Sequence, residues 1–129
     1  MAKDINQELM EHARKQAERP VHFYTLPDDI AKLSGIKELG FVELTGQEEV
    51  NAIRRARNDA VRLAFELSQE SLRYADNVKL STADGTADQV WEKLGPQGRN
   101  LALAVYGELH TPKEQTVSDF IRSRVVRAG

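Results

Sequence analysis

The stretch from Gln47 to Asp76 contains neither proline nor glycine, and it limits what the chain can fold into more than any other segment. It is preceded by Thr45-Gly46-Gln47-Glu48, a capping-box pattern. The Thr hydroxyl accepts from the backbone N–H three residues on, and the Glu carboxylate reaches back to the Thr N–H. Val50, Ile53, Ala56, Ala60, Val61, Ala64, Leu67, Ser68, Ser71 and Leu72 then recur every three or four residues and form one stripe. The pattern predicts a single helix ~45 Å long at 1.5 Å per residue. A stripe rich in Ala and Ser suits close packing against another chain or element, which points to binding or assembly rather than catalysis.

At 129 residues the chain suits one compact domain. It needs neither disulfide nor metal to bury a core. The formal charge of −2 gives no global attraction to nucleic acid or an anionic membrane. With no cysteine, disulfides, thiolate metal sites and Cys nucleophiles are all excluded. The first residues carry no apolar signal-peptide core, and no apolar run approaches a membrane span of ~20 residues. The absence of cysteine also fits a reducing cytoplasm.

Residues 1–20 read as an N-terminal helical arm with a thin stripe of Ile5, Leu9 and Ala13, stopped by Pro20. Residues 21–129 read as a single, mostly helical domain. Val21 to Leu26 is β-branched and aromatic and predicts a short strand; Phe41 to Leu44 predicts a second. Between them Pro27-Asp28-Asp29 opens a helical turn through Ile30 and Leu33. Val78-Lys79-Leu80 reads as a brief extended segment, and Asp84-Gly85 as a turn. Thr86 and Gln89 repeat the capping-box spacing ahead of Val90, Trp91 and Leu94. Gly95-Pro96 ends that helix and starts another carrying Leu101, Ala102, Val105, Tyr106 and Leu109. Thr111-Pro112-Lys113-Glu114 reads as cap, N1 proline and N3 glutamate for a last helix with Val117, Phe120 and Ile121 inward. The expected fold is therefore mainly α: a small helical domain with one long central helix, a short β element before it, and the N-terminal helical arm. The core is expected from helices 47–75, 87–94, 97–110 and 112–124.

Reactive constellations are missing from this pattern. His12, His22 and His110 are isolated, whereas zinc sites need three or four ligands. His110 ends a predicted helix, where it suits the terminal carbonyls. Asp84, Asp88 and Glu92 sit where a helix begins, as acids commonly do, and their loop is too short of ligands for calcium. There is no Gly-x-Ser-x-Gly elbow or phosphate-binding glycine loop. Arg54, Arg55, Arg57 and Arg62 share their helix with Glu48, Glu49, Asp59, Glu66 and Glu70, so ion pairs such as Glu66 with Arg62 are expected. No aromatic platform accompanies them, which disfavours nucleic acid. Trp91 reads as core, with an interface anchor as the other reading.

From Phe41 onward the sequence resembles the tail assembly chaperones of tailed bacteriophages. The resemblance lies in Phe41-Val42-Glu43-Leu44-Thr45 followed by Glu48-Glu49, the Arg/Ala-rich run, Asp88 to Leu94, Tyr106 to Pro112, and Ser123 to Arg127. It implies a mostly helical protein without catalytic residues that binds the tape measure protein and the tail tube protein during assembly. The alternative is a small virion structural protein, a head–tail connector or tail accessory component, with self-association in place of a transient partner. Candidate partner contacts are Ala60 and Ala64 on the stripe, Trp91, Tyr106, and Arg124, Val125, Val126 and Arg127 in the basic, β-prone tail. No catalytic residue, metal ligand or cofactor is expected, and no membrane partner.

Overall fold

The run from Gln47 to Asp76 folds as two helices and a strand, which overturns the expected long central helix. The computed structural model describes residues 19–128 together with Gln7 and Met10. The predicted arm over residues 1–20 otherwise lies outside the described residues. Helix α2 (Gly46–Ala56) begins with the expected capping box: Thr45 accepts from the Glu48 N–H, and Glu48 from the Thr45 N–H. It stops at Arg57 and Asn58, both left-handed with φ of 51° and 66°. Asp59 then caps helix α3 (Ala60–Ser71), accepting from the N–H groups of Val61 and Arg62. Asn tolerates the left-handed region and Asp is a preferred cap, so Asn58-Asp59 turns the chain without glycine or proline. The two helices pack side by side. Ala52 and Ala56 are buried on α2, and Ser68 and Ser71 on α3. Of the stripe's small residues, Ala56, Ser68 and Ser71 are thus buried within the chain itself, while Ala60 is exposed.

Helix α3 runs directly into strand β3 (Leu72–Ala75), which forms a hairpin with β4 (Val78–Lys79). The connecting residues Asp76 and Asn77 both have positive φ, 48° and 66°. That is the backbone a two-residue type I′ hairpin requires. Asp76 also accepts from the Lys37 and Glu38 N–H groups at 2.9 and 3.0 Å, tying the hairpin to the next strand. The sheet is a four-stranded antiparallel meander in the order β1 (His22–Thr25), β2 (Glu38–Phe41), β3, β4. The fold is thus α+β, not mainly α with a minor β element. Strand β2 lies earlier than the predicted Phe41–Leu44 because it includes Gly40. A Cβ there would stand 2.9 Å from both the Phe23 ring and the Tyr74 Cβ. Phe23, Gly40 and Tyr74 occupy one rung, and the two rings pack across the glycine with centroids 5.9 Å apart.

On the opposite face Tyr24, Leu39, Phe41, Leu72 and Ala75 point into the core. Helix α1 (Asp28–Ser34) and the long element α4 (Thr86–His110) cover that face. Within α4, Gly95 has φ 67° and ψ −179°, so the helix breaks there and restarts at Pro96, as its sequence predicts. Two expected caps do not form. Thr86 spends its hydroxyl on Ser81 and Asp84, while Gly85 occupies the N-cap position. The last helix, α5 (Glu114–Arg122), starts two residues later than predicted, with Lys113 at its cap and no side-chain capping bond. Thr111, which precedes a proline and so disfavours helix, stays extended with φ −93° and ψ 122°. Helix α5 has no buried residue, so it does not join the core expected of it.

Candidate functional site

Three surface features carry the chemistry of the described residues: an ion-pair lattice, an apolar groove, and α5. The lattice begins at Glu48, whose position as third residue of α2 brings it to the end of the sheet. Its carboxylate binds Arg19 and Arg73, with a second oxygen-to-guanidinium contact to Arg19 at 2.8 Å. Arg73 also reaches Glu70 at 3.7 Å. Arg55 joins Glu70 and Glu66 at 2.8 Å each, and Arg62 closes the series on Glu66 at 3.6 Å. The lattice thus contains the pair expected from the spacing of Arg62 and Glu66, but extends far beyond it. Burial alone raises the Glu48 carboxyl, yet the bonds from Arg19, the Thr45 N–H and Arg73 overcome this and hold it at about 2. Hydrogen bonding to Glu48 correspondingly raises Arg19. For Arg55 desolvation is opposed by Glu66 and Glu70, with a net rise. A carboxylate held this low is an ion-pair partner, unsuited to proton exchange near neutrality.

Beside the lattice lies a polar cleft of about 430 Å³ lined by Asn51, Arg55, Glu66, Gln69, Glu70, Thr82 and Asp88. Its polar groups are largely used: Gln69 donates to Asp88 at 2.7 Å, and Glu66 and Glu70 hold Arg55. Among the described residues no three His, Cys, Asp or Glu side chains gather as a metal would need. Asp84 accepts from the Thr86 N–H and hydroxyl, which lower its carboxyl, so it stabilises the loop before α4. His110 has a structural role as well. Its Nδ1 lies 2.8 Å from the Tyr106 carbonyl, and its Nε2 accepts from the Leu44 N–H at 2.9 Å. That pairing requires the Nδ1–H tautomer.

The apolar groove lies between the sheet and the second half of α4, with a volume of about 270 Å³. Tyr24, Leu101 and Val105 form its half-buried surface, and the fully buried Leu39 and Phe41 lie beneath them. Ala104 and Glu108 stand at the mouth, both exposed. Burial and the nearby Glu108 carboxylate raise the Tyr24 phenol. Helix α5 is the opposite shape: Phe120 is 78% exposed and Ile121 65%, with Val117 beside them on the same face.

The predicted contact residues are not brought together. Ala60 is exposed at the start of α3, while Ala64 is half-buried and accepts through its carbonyl from Ser68. Trp91 meets Phe65 edge-on at 6.1 Å and packs on the core, the first of its two readings. Tyr106 is half-buried, stacked on His110 at 4.1 Å, and burial and Glu49 raise its phenol. Arg124, Val125, Val126 and Arg127 are fully exposed beyond α5. The sheet-side groove and the exposure of Phe120 went unpredicted, because amphipathic spacing reads alike for a core helix and for one lacking a partner. Among the described residues no helix is long and apolar enough to cross a membrane. No protein-family model, curated protein or solved structure matches the chain significantly.

Proposed function

We propose that this protein is a non-enzymatic assembly factor of the phage tail chaperone kind, and that α5 is the arm with which it holds a protein partner. The observation carrying this reading is that no residue of α5 is buried and that Phe120 and Ile121 stand largely exposed. An isolated helix of nine residues is marginal in water, where stability generally needs ~12–15 residues or tertiary packing. A short helix displaying Val117, Phe120 and Ile121 gains its stability by burying them against another surface. The arm's basic end, from Arg122 to Arg127, supplies charge for specificity at the rim. The ion-paired carboxylates of the lattice favour a binding role over catalysis.

The test is to mix the purified chain with the tape measure and tail tube proteins of the phage that encodes it. A soluble complex is expected with the wild type. The Phe120→Asp variant should lose it while keeping its melting curve. Binding of neither partner by the wild type would refute the chaperone reading. A small virion structural protein is the second reading, favoured by the presence of both an apolar arm and an apolar groove on one chain. Recovery of the protein in purified particles would support it.

A further inference from the structure

We infer that the occupant of the apolar groove is α5 of a second copy, so that chains associate head to tail. This rests on the reading of α5 as a docking arm and names what that arm docks on. Two observations make the match. Leu101, Val105 and Glu108 lie on one side of α4 over eight residues, and Val117, Phe120, Ile121 and Arg124 on one side of the arm over the same span, each ~10 Å at helical rise. Each stripe ends in a charge at its C-terminal end, Glu108 at the groove and Arg124 on the arm. The Arg124 N–H to Ile121 carbonyl bond of 3.2 Å continues the last turn far enough to place that guanidinium. Pairing the two charges sets the arm parallel to the recipient α4, with Phe120 laid against the half-buried Tyr24 and Val105.

The connection explains why the occupant comes from another chain. Thr111 and Lys113 are both extended, with φ, ψ of −93°, 122° and −61°, 148°, around a proline whose own φ is fixed. No residue of α5 is buried, so among the described residues this link leaves α5 standing off the body it follows. Arm and groove are different surfaces, so the contact is heterologous and builds a ring or a filament instead of a two-fold dimer.

The test uses the full chain in a light-scattering concentration series. Wild-type protein is expected to associate, and Phe120→Asp and Ala104→Trp each to weaken association about tenfold or more. Both positions are exposed in the single chain, so both variants should keep the wild-type circular dichroism and melting curve. Phe120→Asp retains an intact groove and Ala104→Trp an intact arm. Their mixture should therefore form a one-to-one dimer and nothing larger. Glu108→Arg should weaken association and Arg124→Glu should restore it in the double variant; Glu108→Arg also replaces Ala104→Trp in the mixture if that variant misfolds. A wild type that stays monomeric throughout would overturn the inference while leaving the binding of tail proteins to its own experiment. So would association of the wild type alongside a mixture that remains monomeric, since the arms would then pair with each other or elsewhere.

Discussion

Replacing Glu48 with Gln isolates the centre of the ion-pair lattice while nearly preserving shape. The folded carboxyl sits at about 2 against an ordinary value of 4.5. At 1.36 kcal/mol per pKa unit that difference corresponds to about 3 kcal/mol of folding stability at neutral pH. Because the folded value is depressed, this contribution is complete above pH 4.5 and disappears as pH falls through 2. The same linkage leaves less than half of it at pH 3. Glu48→Gln has no charge to titrate, so its stability deficit relative to wild type should be about 3 kcal/mol at pH 7 and less than half that at pH 3. Chemical denaturation at the two pH values measures this directly. For a domain of this size each kcal/mol moves the melting temperature by roughly 3–5 °C, so the neutral-pH deficit is also visible thermally. The amide oxygen of Gln still accepts from the Thr45 N–H, which keeps the cap of α2 from confusing the result. An equal deficit at both pH values would mean that Glu48 acts by shape, and the charge argument would be wrong.

Gly40→Ala should destabilise the sheet by about 1–3 kcal/mol, because the added methyl would stand 2.9 Å from the Tyr74 Cβ, which the paired strand holds in place, and displace the Phe23 ring; denaturant titration reports it, and an unchanged midpoint would count against the close approach. His110→Ala removes the acceptor for the Leu44 N–H and should cost about 1–3 kcal/mol, with faster hydrogen exchange at that amide as its local signature. Ala60→Leu should change stability by no more than about 0.5 kcal/mol because its side chain faces water. Ala56→Leu, at a buried position between packed helices, should lower it by about 1–3 kcal/mol; equal effects at the two sites would mean the helix hairpin is assigned wrongly.

What could be read in the sequence was local. The capping box at Thr45, the helical turn after Pro27, the Gly95-Pro96 break and the extended Val78-Lys79 each depend on a few neighbouring residues. The division of 47–76 depended on weaker local signals that a run without Gly or Pro conceals. Asn58-Asp59 is a turn and a cap, but Arg57 in the left-handed region has no sequence signature. Leu72 to Ala75 suits a helix as well as a strand, and only the Asp76-Asn77 turn and pairing with β2 decide between them. The lattice shows the same limit. The Arg62–Glu66 pair follows from i, i+4 spacing, whereas Arg19 and Arg73 reach Glu48 from 29 and 25 residues away, and no periodicity predicts that. Burial of Val117, Phe120 and Ile121 was expected from their spacing, which encodes a face and is silent on what covers it.

The energetics of that uncovered face bear on how such a protein would assemble. Burying Val117, Phe120 and Ile121 yields about 1.5–3 kcal/mol each, or roughly 5–9 kcal/mol together. Association of two chains costs about 4–15 kcal/mol in lost freedom. The groove's Leu101 and Val105 are covered in the same contact and add to that sum, so a single arm in a single groove leaves a modest surplus, enough to populate a dimer at high protein concentration and still release readily. Every chain carries both an arm and a groove, so a closed ring gains one further contact without losing another chain's translational freedom. That last contact is made at the high effective concentration set by the ring itself. In the assembly role proposed above, so modest a contact would leave an arm free to exchange its neighbour's groove for an apolar surface of comparable size on another protein. A weak, replaceable self-contact is what an assembly factor that must later let go requires, whereas a permanent virion part would need a larger buried surface than α5 alone provides.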